Sequence, residues 1–162
     1  MKTKIIEREV DLIEHHELLK KVFKNHLYLY NIAIKMLEDN PTLSLLELQE
    51  KVKAYVNDNN VFPVIFESLS YEIYYMYRKY QKNIRNQKLF NDIQYLTFKF
   101  CNPKKKKLLV YLAPGERTVI RLASLLTEDE IEELKTDKNK FINISYSPQL
   151  NVYMMNIFEI EN

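Results

Sequence analysis

From about Glu14 to about Asn86 the apolar residues follow a helical spacing, and on either side of that block the spacing changes. From about Glu14 to Asp39, Leu18, Leu19, Val22, Phe23, Leu27, Tyr30, Ile34 and Leu37 recur at three- and four-residue steps and form one stripe. Asn40-Pro41 ends this helix, because a residue before proline is pushed out of the α region. Ser44 and Glu47 match a capping box that opens a second helix, with Leu45, Leu48, Val52 and Tyr55 or Val56 as its apolar side. The run Asn57-Asp58-Asn59-Asn60 reads as a loop. A third helix is predicted from near Pro63 to about Asn86, with Phe66, Leu69, Ile73, Met76 or Tyr77, Tyr80 and Ile84 facing inward.

Strand patterns flank this helical block. Ile5, Ile6 and Val10 among charges predict a strand over residues 3–10. Beyond the block, Tyr95, Thr97, Phe98 and Phe100 alternate, Leu108 to Leu112 is a compact apolar run, and Thr118 to Leu122 offers a further strand after a Pro114-Gly115 turn. Thr127 caps a short helix with Glu130 at the box position. Phe141 to Tyr146 and Val152 to Ile160 flank Ser147-Pro148-Gln149-Leu150-Asn151 as a β-hairpin. The expected fold is α+β: a small β-barrel-like sheet with an inserted three-helix block. It forms a single domain over 1–162, made of a strand (3–10), a helical block (14–86) and a strand-rich part (95–160).

Composition removes several functional classes. A chain of 162 residues is one domain's worth, and 46% hydrophobic with 28% charged residues suits a globular protein. Gly115 is the one glycine, so phosphate-cradling and dinucleotide loops are excluded by count. A lone Cys101 allows no internal disulfide and is read as a buried, inert thiol in a reducing compartment. The N-terminus lacks an apolar core of signal-peptide length, and no apolar run approaches the roughly 20 residues of a membrane helix. The expected location is therefore cytoplasmic, with no membrane partner. His15 and His16 diverge on a helix, and His26 lies about three turns away, so all three are expected at surface or half-buried positions without a metal. Glu128, Asp129, Glu130, Glu132 and Glu133 are explained by a cap and a solvated helix face. No hydrolase motif occurs, so the chain is expected to be non-catalytic, with no catalytic residue, metal or cofactor.

Charge is the informative feature. The net charge is +2, yet Met76 to Lys107 holds ten Lys/Arg and one acid, Asp92, leaving 14 basic and 21 acidic residues elsewhere. Such polarity suits a polyanionic partner. On the third helix Tyr71, Tyr75, Arg78, Lys82 and Arg85 follow steps of four, three, four and three and share one face. Lys88, Lys99 and the run Lys104, Lys105, Lys106 and Lys107 come after it. Tyrosine rings stack on unpaired bases while Lys and Arg neutralise phosphates, so these residues form the candidate nucleic-acid contact. The same residues also fit a solvated lysine-rich surface or a protein-partner surface.

The words Lys4-Ile5-Ile6, Glu17-Leu18-Leu19 and Tyr30-Asn31-Ile32-Ala33 resemble the opening of transposon-encoded RNA-guided nucleases of the TnpB family. Leu45-Leu46-Glu47-Leu48 and the helix from Ser68-Leu69 are similar to that family's helical recognition insertion in order and length. The hairpin around Ile144-Ser145-Tyr146 and Val152-Tyr153-Met154 looks like the last strands of its wedge barrel. The resemblance implies the wedge plus helical recognition half, which grips guide RNA and target DNA by backbone shape and charge. The family's RuvC-like nuclease strand with its aspartate would follow the hairpin, and neither it nor the zinc-ribbon cysteines occur in this sequence. The expected function is non-catalytic RNA or DNA backbone recognition by a phage- or mobile-element-derived module. The alternative is a small phage-type interaction module or inhibitor whose partner is a nuclease or another host protein.

Overall fold

The computed structural model describes residues 2–81, 95–99, 107–121, 127–133 and 140–160. Strand β1 (Lys2–Val10) leads through a 3-10 turn at Ile13–His15 into α1 (His16–Asp39), α2 (Leu45–Asn59) and α3 (Phe66–Gln81). Then come β2 (Tyr95–Lys99), β3 (Lys107–Ala113), β4 (Glu116–Arg121), α4 (Glu128–Glu133), β5 (Lys140–Ser147) and β6 (Val152–Ile160). The class is α+β, as the spacing predicts. Phe100, Leu122, Cys101 and the predicted end of the third helix past Gln81 lie outside the described residues.

The expected barrel is not closed. The described strands form an antiparallel four-stranded sheet in the order β1-β6-β5-β2 and a separate β3-β4 ribbon. Two non-local contacts account for this. The Thr97 amide of edge strand β2 donates to the Ser68 hydroxyl on α3 at 3.1 Å, so a helix takes a group that a neighbouring strand would need. The ribbon pairs with the connector before α3, where the Val64 and Tyr111 amides each donate to the other's carbonyl at 3.0 and 2.8 Å. This pairing also explains why α3 starts at Phe66 rather than near Pro63.

The Asn57-Asp58-Asn59-Asn60 run is not the loop expected: α2 continues through Asn59 and stops only where Asn60 turns left-handed, at φ 53°. The two capping boxes form as expected. The Ser44 hydroxyl accepts from the Glu47 amide at 3.1 Å and the Glu47 carboxylate accepts from the Ser44 amide at 3.2 Å, closing the predicted box. Thr127 and Glu130 do the same at 3.2 and 2.8 Å. Glu130 does more than the expected solvated face implies. Its carboxylate also receives Arg8 Nη2 at 2.5 and 2.6 Å, which ties α4 to β1 and holds the acid below the usual carboxylate range.

Helix α1 spans two apolar clusters. Leu19, Val22 and Phe23 pack with Leu96, Ile142, Ile144, Met155 and Ile157 of the sheet and with Leu108, Val110 and Ile120 of the ribbon. Further along, Leu29, Ala33 and Leu37 pack with Leu48, Val52 and Val56 of α2 and with Leu69, Ile73 and Met76 of α3. His26 sits between the two sets. It is fully buried, contrary to the surface or half-buried place expected of the histidines. The reason is its position on the stripe, four residues from both Val22 and Tyr30, together with one satisfied ring nitrogen. Nε2 accepts from the Ile65 amide at 3.1 Å. Protonating Nε2 would set donor against donor, and burial pushes the His26 pKa down to about 3.

Candidate functional site

Side chains alternate across a sheet, so Leu96, Ile142 and Ile144 on the sheet's core side leave Thr97, Asn143 and Phe141 on the other. Register sets Thr97 opposite Asn143 in β2 and β5, and Phe141 opposite Phe158 in β5 and β6. Helix α3 lies over this second face. Between them is a cleft of about 250 Å3, lined by Tyr30 of α1, Tyr71, Glu72, Tyr75, Met76 and Lys79 of α3, Tyr95, Thr97, Asn143 and Phe158.

Glu72 is its chemical centre. The carboxylate accepts from the hydroxyls of Thr97 and Tyr95, and Asn143 Nδ2 donates to Thr97 Oγ1 at 2.8 Å. Those donors and the Lys79 charge favour ionisation, but burial outweighs them and pushes the Glu72 pKa up to about 7. Burial and the nearby Glu72 charge push Tyr30 up to about 12, and Tyr71 and Tyr95 are also pushed up. At neutral pH these phenols therefore stay protonated. Walls of aromatic ring enclose the acid. Tyr71 lies 4.9 Å from Tyr75 and 5.1 Å from Phe141, and Phe141 stacks on Phe158 at 5.7 Å.

The cleft's exposed edge at Tyr75 and Lys79 continues along α3 into Tyr74 and Arg78. Tyr74 and Tyr75 are 36% and 37% exposed, and Arg78 and Lys79 are exposed beside them. Arg78 donates to the Tyr74 hydroxyl at 3.0 Å with its guanidinium 5.7 Å from the ring centre, so the cation is held in place.

Of the candidate residues, the fold brings Tyr71, Tyr75 and Arg78 together on α3. Tyr71 is half-buried and braces Tyr75 rather than standing open at the surface. Lys99 ends β2 and Lys107 begins β3, in different sheets. Lys82, Arg85, Lys88, Lys104, Lys105 and Lys106 lie outside the described residues. Sequence spacing missed Glu72, Lys79, Tyr30, Tyr95, Thr97 and Asn143. One signal was available: Glu72 and Lys79 are seven residues apart, two turns along the flank that carries Tyr75. Nothing local announces Thr97 or Asn143, which meet through strand register.

No protein-family model and no curated protein matches this chain. The likeness to TnpB-family nucleases rests on its short sequence words alone. Among the described residues no group of three or more His, Cys, Asp or Glu could hold a metal ion. No described helix is long and apolar enough to cross a membrane.

Proposed function

We propose that this chain is a non-catalytic nucleic-acid-binding protein whose contact surface includes the rim of the α3 cleft. The observation that carries this reading is the exposure of Tyr75 and Lys79 in the lining of an aromatic-walled cleft, with Tyr74 and Arg78 exposed next to them on α3. Cations at that rim neutralise phosphates, and ring faces accept unpaired bases with little regard to sequence. The cationic stretch continues in the sequence through Lys82, Arg85, Lys88, Lys99 and Lys104 to Lys107. The TnpB-like words point the same way, toward a mobile-element or phage module acting on RNA or DNA in the cytoplasm.

Fluorescence anisotropy with single-stranded RNA, single-stranded DNA and duplex tests the reading. Affinity is expected to fall steeply, by orders of magnitude, between about 50 and about 200 mM salt, because each neutralised phosphate releases counterions. Absence of binding at the lowest salt, or binding indifferent to salt, overturns it.

A further inference from the structure

We infer that the cleft under α3 receives one unpaired guanine base of a bound strand, with the Glu72 carboxylate accepting from N1–H and the N2 amino group, Lys79 donating to O6, and Tyr75 stacking on the ring. The inference rests on the nucleic-acid reading above and adds a ligand to the same site.

Size is the first argument. At about 250 Å3 the cleft lies below the roughly 300–1,000 Å3 of pockets for drug-sized ligands, which suits a single base and excludes a stack of several. Hydrogen-bond inventory is the second. An ionised carboxylate offers about four lone-pair sites, and Thr97 and Tyr95 occupy two of them. Two acceptor positions remain for a ligand. Guanine presents two adjacent N–H donors beside one carbonyl on its Watson–Crick edge, and Lys79 is the lining cation that answers the carbonyl. Adenine sets an acceptor, N1, against the carboxylate. Uracil sets a carbonyl on each side of its one N–H, and cytosine offers one amino group next to an acceptor. Each leaves a buried oxygen facing an oxygen or nitrogen lone pair, which costs more than a missing contact.

Rigidity is the third argument. Tyr71 backs the Tyr75 ring at 4.9 Å and is itself held against Phe141, so the stacking platform is formed before a base arrives. Guanine uptake also requires an ionised Glu72. The charged and titratable groups around that acid are Lys79, Tyr71 and Tyr75 from its own helix, Tyr30 from α1 and Tyr95 from β2. Burial keeps Tyr30, Tyr71 and Tyr95 protonated through neutrality, so Glu72 sets the pH response, and guanine affinity rises with pH through about 7.

The test uses the full chain and oligouridine strands of about ten nucleotides that carry one central guanosine, inosine or adenosine, with guanosine monophosphate as a separate probe. The guanosine strand is expected to bind at least roughly tenfold more tightly than the adenosine strand, with inosine, which lacks the N2 amino group, between them. Glu72→Gln should bring the three strands within about twofold of one another. A urea midpoint no lower than that of the unsubstituted protein shows that the variant is folded. Equal affinity for all strands in both proteins overturns the guanine pocket and leaves nucleic-acid binding standing. Failure of every strand to bind overturns both. Guanosine monophosphate binding as tightly as the guanosine strand also overturns the inference, because the base would then not be taken from a strand.

Discussion

Replacing Glu72 by glutamine should make the protein more stable at pH 8, although it removes a charge that three polar neighbours favour. The folded-state pKa of Glu72, about 7, lies above its ordinary 4.5. A carboxyl raised in this way contributes stability that is fully present below pH 4.5 and is lost as pH rises through 7. At pH 8 the ionised acid therefore costs up to about 3 kcal/mol relative to its neutral form. Glutamine is neutral and nearly isosteric, and its carbonyl still accepts from Thr97 and Tyr95. The variant should gain about 2–3 kcal/mol at pH 8, and the gain should shrink toward nothing near pH 4.5. Urea unfolding followed by far-ultraviolet circular dichroism measures both ends of the range. Equal slopes against denaturant are needed so that the midpoints report stability rather than compactness. A variant that is less stable than the unsubstituted protein at pH 8, or a difference that does not change with pH, would show that the hydroxyl donors and Lys79 outweigh burial and that the reasoning fails.

Four further outcomes are expected. In the Glu72→Gln background, stability should fall by about 1.4 kcal/mol per pH unit below 6.5, because the depressed His26 pKa contributes stability that is lost as pH drops toward 3. In the unsubstituted protein the Glu72 and His26 slopes oppose one another between pH 4.5 and 6.5, so its urea midpoint should be nearly flat there. Arg8→Met should cost about 1 kcal/mol or less, since the pair is partly exposed, and should speed amide exchange in Glu128–Glu133 while leaving α1 protected. Joint Arg78→Glu and Lys79→Glu substitution should weaken RNA and DNA binding alike and lower the salt slope by about 1–2, as read by anisotropy.

The residues that could be read correctly from sequence are those whose partners are close in the chain. The α1 stripe, both capping boxes and the β5–β6 hairpin depend on spacings of three to ten residues, and each formed where expected. His26 was misplaced because a polar side chain between apolar neighbours is normally turned outward, and its acceptor role exists only once Ile65 arrives from another element. Barrel closure failed for a related reason. Which strand edges pair is decided by Ser68 reaching Thr97 and by Val64 bridging Tyr111, contacts that no alternation pattern encodes. The cleft shows the limit most clearly. Tyr71, Tyr75 and Arg78 share a helix face and were found by periodicity. Glu72 is as close to them, but it becomes a buried acid only when α1, β2 and β5 supply Tyr30, Tyr95, Thr97 and Asn143 around it. A carboxylate beside a cationic run reads as charge balance until the sheet covers it.

Photocrosslinking tests most directly whether nucleic acid lies on α3. A strand carrying 4-thiouridine would be bound at low salt, irradiated, and the crosslinked peptide mapped by mass spectrometry. Adducts at Tyr74 or Tyr75 that disappear with Arg78→Glu and Lys79→Glu are the expected result. Adducts confined to α2 or β1, or none despite saturating RNA and DNA, would contradict it.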